Sequence, residues 1–284
     1  MRDNRLFKRL VIGGTLAWIV LFGAVPFLML TGVSFLTRHP RDLIEPTLTL
    51  SNYLRLFDPA LGTMLLSSAG MAAMATLLCL LVGYPFAYIV ARAGRRWTRP
   101  LLFFVMIPFW TNTLIRTYAL VAVLKADGVL NKFLLFLGII DAPLKIMYTW
   151  TAVFIGLIYT LLPFMILPLY AAIEKLDHRL LEASRDLGAS RWTTFRKVTI
   201  PLTMPGIVSG CMLVFLPALG MFYLPDILGG ARTMLLGNFV RDQFLVARDL
   251  PMGAAASIAM TLLMGAMLLI YYRSARRSGK KVRL

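Results

Sequence analysis

Six aromatic, amide and carboxylate side chains lie inside or beside long apolar runs, where polar groups are costly to bury. They are Trp110, Asn112, Tyr118, Tyr159, Tyr223 and Asp226. An aromatic face attracts an ammonium group by ~0.5–2 kcal/mol, and a carboxylate adds a charge partner. Tyr223 and Asp226 are three residues apart, so a helix would place them on one face. The set therefore predicts a passage suited to a flexible polycation.

Each of these residues also has a structural explanation, which is favoured when the residues are taken one at a time. Tryptophan and tyrosine form belts at membrane interfaces, and Asn112 could simply bond a neighbouring helix. Arg116, which follows Asn112 closely, would repel a polycation. We expect Arg116 to pair with an acid or to gate the passage rather than to bind substrate.

A second chemical pattern occupies segment 175–201, which reads KLDHRLLEASRDLGASRWTTFRKVTIP. Its apolar residues at helical spacing are Leu176, Leu180, Leu181, Ala183 and Leu187. Gly188 then ends the helix, and a short amphipathic stretch, 192–198, leads to Pro201. The pattern predicts a helix–turn–helix against the membrane surface. It could dock a partner, anchor the loop at the interface or form a solvated linker.

Metal and disulfide chemistry are not indicated by the sequence. No grouping of histidine, cysteine and carboxylate residues has metal-ligand spacing. Cys79 and Cys211 both lie inside apolar runs, where we expect them to pack as small residues rather than to form a disulfide.

The composition requires that these residues be carried on membrane spans. The 284 residues are 59% hydrophobic, with a mean hydropathy of +0.76, whereas soluble domains are about 45–50% apolar. The net charge of +17 comes from short basic clusters between the apolar runs. No soluble basic domain is present to hold a duplex, so nucleic-acid binding is not favoured.

Six apolar runs are long enough to cross a bilayer, which takes about 20 residues of helix. They are Leu10–Leu36, Leu61–Ala91, Leu101–Leu124, Trp150–Ile173, Met204–Leu224 and Met252–Tyr272. Each must be helical, because lipid offers no partner for free backbone groups. The prediction is an all-α, polytopic membrane protein with six transmembrane helices.

Several features modify individual spans. Pro108 and Pro217 interrupt the third and fifth spans and are expected to kink them. Gly206 and Gly210 form a G-x-x-x-G pair in the fifth span, which would permit close helix contact. We favour packing within this chain over packing with a partner. The first run is longer than a signal peptide's apolar region, so it is interpreted as a retained helix.

Lysine and arginine cluster on alternate sides of the predicted spans. The N-terminal tail and the second loop carry four each, and the fourth loop and the C-terminal tail carry six each. The opposite side carries nine in all, so the bias is twenty to nine. By the positive-inside rule, both termini are predicted to be cytoplasmic, and an even number of spans agrees with this.

Segment 175–201 resembles the EAA loop of binding-protein-dependent ATP-binding-cassette importers. That loop reads E-A-A, three residues, G, nine residues and I-x-L-P. The residues that match outright are Glu182, Ala183, Gly188 and Pro201. The small or aliphatic substitutions are Ser184, Val198 and Ile200.

This resemblance implies a cytoplasmic coupling loop seated in a cleft of a separate ATPase subunit. Glu182 would pair with a basic residue of the ATPase, and Gly188 would allow two backbones to approach closely. Closure of the ATPase would then move the spans as rigid bodies. No P-loop of the form G-x-x-x-x-G-K-[ST] occurs in this chain. ATP and Mg²⁺ are therefore expected on the partner ATPase, with no cofactor in this chain.

Most of the chain also resembles the spermidine/putrescine permeases of such importers. The resemblance is to the first of their two permease subunits (the PotB type). The segments are PFWTNTLIRTYA (108–119), GVLNKFLLFLGIIDAPL (128–144), LLEASRDLGAS (180–190), IPLTMPGIVSGCMLVFLPALGMFYLPDILGG (200–230) and ARDLPMGAAASI (247–258). The resemblance implies a polyamine-transporting subunit of the bacterial inner membrane that is not an enzyme. It implies a type I, MetI-like permease fold as one transmembrane domain over 1–284. The implied partners are a second permease, an ATPase homodimer and a periplasmic polyamine-binding protein.

Three other functions are alternatives to a polyamine permease. The same type of importer could carry another small organic or cationic solute. An ion channel or ion-coupled transporter would need a filter sequence or charges deep in several spans. A membrane enzyme would need a converging acid–base or metal set. The sequence contains neither of these last two patterns.

Overall fold

The computed structural model describes residues 3–39, 43–230 and 234–281. Over these ranges the chain folds into fourteen α-helices and one two-stranded sheet, which confirms the all-α class. The chain ends at 1–2 and 282–284 lie outside the described residues, so the cytoplasmic placement of the termini stays a prediction.

The first predicted span forms part of one unbroken helical run. The elements up to the second span are α1 (Asp3–Ile19), the π-helical residues Val20–Ala24, α2 (Val25–Ser34), β1 (Leu36–Thr37), β2 (Glu45–Leu48), α3 (Ser51–Arg55) and α4 (Pro59–Arg92). The two strands pair antiparallel. Large apolar side chains of the first span, such as Trp18 and Phe22, are exposed, as expected of a helix that needs lipid or a partner subunit around it.

The third predicted span, 101–124, is broken where Pro108 falls. Its parts are α5 (Gly94–Met106), the 3₁₀ turn Ile107–Trp110 and α6 (Thr113–Leu124). Proline lacks the N–H that would continue the helix, and Thr111 is extended with ψ 147°. The predicted interruption is therefore confirmed, although it produces two separate helices rather than one kinked span.

The remaining helices follow in chain order. They are α7 (Val129–Phe136), α8 (Trp150–Glu174), α9 (His178–Asp186), α10 (Arg191–Thr194), the π-helical residues Phe195–Thr199, α11 (Ile200–Gly220), α12 (Tyr223–Gly229), α13 (Leu236–Leu245) and α14 (Leu250–Lys281). The run from α10 through α11 is continuous, so the stretch 192–198 is the start of the fifth span. Pro217 lies inside α11, which continues for three more residues before it ends.

Five helices in the described part of the chain are long and apolar enough to cross a membrane. They are Val11–Ser34, Pro59–Arg92, Trp150–Glu174, Arg191–Gly220 and Leu250–Arg273. Each coincides with one of the six predicted spans. The remaining predicted span is the broken one, whose two helices of 13 and 12 residues are each too short to cross alone.

α8 and α11 form the most extensive helix pair. A Cβ placed on Gly206 would overlap the Ala172 side chain, and one on Gly210 would lie 2.8 Å from the Met165 sulfur. These two glycines therefore let α11 approach α8 closely. The expectation that the G-x-x-x-G pair packs within this chain is confirmed.

The described residues divide into two compact units, one within 1–63 and 238–274 and the other within 64–237 and 275–284. In the first unit, Asp249 is buried and accepts a hydrogen bond from the Met252 amide at 3.1 Å, which caps α14. Arg55 pairs with the same carboxylate at 3.3 Å. The second unit contains all of the candidate site residues.

Candidate functional site

Segment 175–201 forms two helices that begin at polar caps. The Asp177 carboxylate accepts a hydrogen bond from the Arg179 amide at 3.0 Å, and the Ser190 hydroxyl accepts one from the Thr193 amide at 3.2 Å. Each cap satisfies a backbone donor that has no partner inside its helix. The predicted helix–turn–helix is confirmed.

Gly188 forms the turn between these helices in a left-handed conformation, with φ +82°. The Gly188 amide donates to the Arg185 carbonyl at 2.8 Å, and the Ala189 amide donates to the Ser184 carbonyl at 3.1 Å. This pair of bonds is a Schellman cap, which favours glycine. A Cβ on Gly188 would meet nothing within 4 Å. Within this chain the glycine is therefore required by the backbone conformation, and the space beside it is open.

The outward surface of the loop is mixed. Its exposed apolar residues include Leu180, Ala183, Leu187 and Trp192, and its exposed charged residues include Arg179, Glu182, Arg185, Asp186 and Arg191. Leu187 is 87% exposed, whereas Leu181 is buried on α9, which packs against α10 and the π-helical residues Phe195–Thr199. Of the predicted apolar stripe, only part therefore faces the protein. Large exposed apolar residues are typical of a surface that receives a partner.

Ser184 and Pro201 have structural roles at the ends of this segment. The Ser184 hydroxyl lies 3.1 Å from the hydroxyl of the buried Thr194 and joins α9 to α10. Pro201 occupies the first turn of α11, directly after the π-helical residues Phe195–Thr199. Proline is tolerated there because the irregular turn already departs from the regular helical hydrogen bonds.

An aromatic cluster connects the loop to two spans. The Phe195 ring lies 5.7 Å from the Trp192 ring and 5.6 Å, edge-on, from the Tyr84 ring of α4. The Tyr84 hydroxyl lies 3.0 Å from the Thr203 hydroxyl of α11. Sequence reasoning missed this cluster, although the spacing of Tyr84 and Tyr88 by four residues marks an aromatic helix face. The cluster therefore joins the end of the loop to α4 and, through Tyr84, to α11.

The passage residues predicted in the third span lie on both sides of its break. Trp110 ends the 3₁₀ turn, is 74% exposed and packs edge-on against Phe103 at 5.5 Å. The Asn112 side-chain oxygen accepts a hydrogen bond from the Leu114 amide at 2.8 Å and caps α6. Tyr118 lies on α6 and is exposed. Asn112 thus bonds its own helix rather than a neighbouring one.

Tyr223 and Asp226 lie together on the short helix α12, as their spacing predicts, and both are half-buried. α12 packs against α8 and α6. Gly156 of α8 permits this packing, because a Cβ there would overlap Leu228. Tyr159 follows on α8 and is partly exposed. The six predicted passage residues therefore come from three helices that contact one another and from the turn that precedes α6.

The chain matches a family of transport proteins over most of its length. Residues 83–284 match the family described as "Binding-protein-dependent transport system inner membrane component". The spermidine/putrescine transport system permease protein PotB of Escherichia coli (strain K12) is 55% identical over 268 residues, which cover 94% of this chain and 97% of that protein. PotB of Haemophilus influenzae is 47% identical over 281 residues, which cover 99% and 98%.

A solved structure shares the fold at low sequence identity. It is the crystal structure of a bacterial ABC transporter involved in the import of the acidic polysaccharide alginate. One of its chains aligns with a TM-score of 0.70 and 19% identity, covering 97% of this chain and 96% of that chain.

Proposed function

Because the chain belongs to the family of binding-protein-dependent transport system inner membrane components, we propose that it carries the polyamines spermidine and putrescine, or one of them, into the cytoplasm. The family and the MetI-like permease fold predicted from the sequence are confirmed by the family match and the structural likeness. The chain is a transport subunit rather than an enzyme, and it is a component of the inner membrane.

The observation that carries the substrate proposal is identity over nearly the whole chain. At 55% identity over 268 residues, the passage and the docking loop both fall inside the aligned region. The passage chemistry agrees, since the aromatic rings and the Asp226 carboxylate suit ammonium groups on a methylene chain. The alternative of another small cationic solute shares this chemistry, so direct transport measurements must separate the two.

The loop geometry supports coupling to a separate ATPase. Glu182, Leu187 and Trp192 are exposed on the same loop, so a partner can reach a carboxylate and large apolar side chains. Such a surface permits an ion pair together with apolar contact that excludes water. The ATPase binds ATP and Mg²⁺, and its closure pushes on the loop. The cluster of Phe195 and Tyr84 then passes the displacement to α4 and α11.

The proposal extends to the remaining partners and to the orientation in the membrane. The segment 175–201 and both chain ends face the cytoplasm, in agreement with the twenty-to-nine distribution of basic residues. A second, different permease completes the passage, an ATPase homodimer drives it, and a periplasmic polyamine-binding protein delivers the substrate. Trp110 and Tyr118, which are exposed here, line the passage shared with the second permease.

A cellular experiment tests the proposal. Cells that neither make nor import polyamines receive the chain together with its cognate ATPase, second permease and binding protein. We expect uptake of labelled spermidine or putrescine, and we expect the double variant Glu182→Ala, Gly188→Trp to abolish that uptake while still inserting into the membrane. Normal uptake by the double variant would contradict the coupling role of Glu182 and Gly188.

A further inference from the structure

Arg116 lies among the aromatic residues of the passage and is held there by side-chain contacts. Its Nη2 donates a hydrogen bond to the Thr113 hydroxyl at 3.0 Å. Its guanidinium carbon lies 5.9 Å from the centre of the Phe109 ring, within the range of a cation–π contact. Its helix, α6, packs against α12, which carries Tyr223 and Asp226. Arg116 thus places a permanent cation against an aromatic face on a helix of the predicted passage.

The bonding of this guanidinium is incomplete. The buried Nε of Arg116 has no hydrogen-bond acceptor in the described part of the chain. Arg116 also forms no ion pair with the residues that the structure describes. An arginine that serves stability is normally paired and fully bonded, because an unsatisfied charged donor is costly. The expected pairing with an acid is not found among the described residues, and the contacts that hold the half-buried guanidinium are the Thr113 hydroxyl and the Phe109 ring.

A polyamine cannot supply the missing acceptor. At neutral pH it consists of ammonium groups joined by methylene groups, so it offers donors and positive charge only. Arg116 cannot hold such a substrate, and both cations are attracted to the same aromatic faces. Two positive charges held at the same aromatic face repel each other strongly where water is partly excluded. Arg116 and the substrate must therefore compete for the same space.

We propose that Arg116, tethered by Thr113, is a cation that occupies the Phe109 ring face next to the passage residues when no polyamine is present, and that an incoming ammonium group displaces it. The inference rests on the proposed polyamine function. It makes Arg116 a specificity-determining residue, because only a solute with enough positive charge to replace the guanidinium enters without loss of cation–π contact. A neutral solute of similar shape leaves the aromatic faces to Arg116.

Direct binding measurements test this competition. Labelled spermidine is titrated onto the purified complex of both permeases and the ATPase, without the binding protein, so that the Kd reports the passage alone. We expect Arg116→Gln to lower the Kd about three- to tenfold, because one repelling charge is removed. Arg116→Lys keeps the charge and is expected to stay within about twofold of the unmodified complex. Thr113→Val removes only the tether and should lower the Kd by a smaller factor.

Uptake into proteoliposomes by the complete transporter is measured in parallel. It separates the proposed polyamine function from the tethered-cation inference. An unchanged or raised Kd in Arg116→Gln, with spermidine uptake intact in the unmodified complex, overturns the tethered-cation inference alone. If Arg116→Gln fails to assemble, an unchanged or raised Kd in Thr113→Val overturns it in the same way. If the unmodified complex imports no polyamine, the proposed function fails and this inference fails with it.

Discussion

The Ser184 hydroxyl lies 3.1 Å from the Thr194 hydroxyl and joins α9 to α10 across the turn at Gly188. Ser184 occupies a position where the EAA pattern has alanine, so this bond is one that the usual residue could not make. Thr194 is buried and continues directly into the π-helical start of the fifth span. The bond therefore fixes the exposed helix of the loop to the helix that enters the membrane.

This bond should be measurable by a double-mutant cycle. Ser184→Ala and Thr194→Val are each expected to lower the free energy of unfolding by about 0.5–1.5 kcal/mol, because each removes the same hydrogen bond. The double variant should lose little more than either single variant. Unfolding of the purified protein in mixed micelles provides the measurement, and strictly additive losses would argue against a direct bond.

At Gly188, the effect of backbone strain on stability can be measured apart from any effect on docking. Gly188→Ala should cost about 1–2 kcal/mol in stability, because an L residue is strained at positive φ, and Gly188→Asn should cost less. Neither side chain meets an atom of this chain, since no atom lies within 4 Å of a Cβ there. Unfolding measurements on the two variants test the ranking. Equal losses would show that the left-handed conformation is not what the position requires.

Glu182 is expected to act only in coupling. Glu182→Ala should reduce ATP-driven uptake at least about tenfold, because the substitution removes a charge-assisted hydrogen bond between the enclosed carboxylate and the partner. The stability of the permease should be unchanged, because Glu182 is exposed. Glu45→Ala, which removes another exposed carboxylate on β2, serves as the control and should leave uptake unaffected. Equal uptake by the two variants would remove Glu182 from the coupling surface.

The contact between α8 and α11 gives a prediction about packing. Gly210→Ala should lose about 1–3 kcal/mol in stability, because its Cβ would lie 2.8 Å from the Met165 sulfur and 3.2 Å from the Met165 carbonyl oxygen. Gly70→Ala on α4 is the matched control, since no atom lies within 4 Å of a Cβ there. That variant should be neutral or slightly stabilising. Similar unfolding midpoints for both variants would contradict the packing account.

Asp226 provides a test of the passage. Asp226→Asn should weaken polyamine uptake at least about tenfold, because we propose that this carboxylate, on the same helix as Tyr223, is the charged partner of a substrate ammonium group. Lys125→Gln changes the net charge by one unit in the opposite direction, at an exposed position after α6, and should have little effect. The comparison is made as initial uptake rates of labelled spermidine at equal protein. Equal effects of the two changes would argue against a substrate role for Asp226.

The elements set by local chemistry could be predicted from the sequence. Apolar length located the spans, Pro108 marked the break in the third span, and Gly188 marked the turn after α9. The G-x-x-x-G spacing of Gly206 and Gly210 indicated close packing, which the structure confirms against α8. These features depend on residues close together in the chain, where periodicity and backbone preferences decide the outcome.

Contacts between distant segments could not be predicted in this way. Nothing in the local pattern indicates that Tyr84 bonds Thr203, or that Phe195 packs on α4, because these residues meet only after the helices assemble. The bond made by Asn112 was also not predicted. Its polar side chain suggested a bond to a neighbouring helix, whereas its oxygen caps the helix that restarts after Pro108, and its role in the passage stays a prediction.

Transport by the purified complex tests the central claim most directly. The chain is reconstituted into proteoliposomes with its second permease and ATPase, and the polyamine-loaded binding protein is supplied on the opposite side from the ATP. The account predicts ATP-dependent accumulation of labelled spermidine or putrescine, lost in Glu182→Ala and retained in Glu45→Ala. Failure of both polyamines to accumulate, while another solute does, would contradict the polyamine function and leave the permease fold intact.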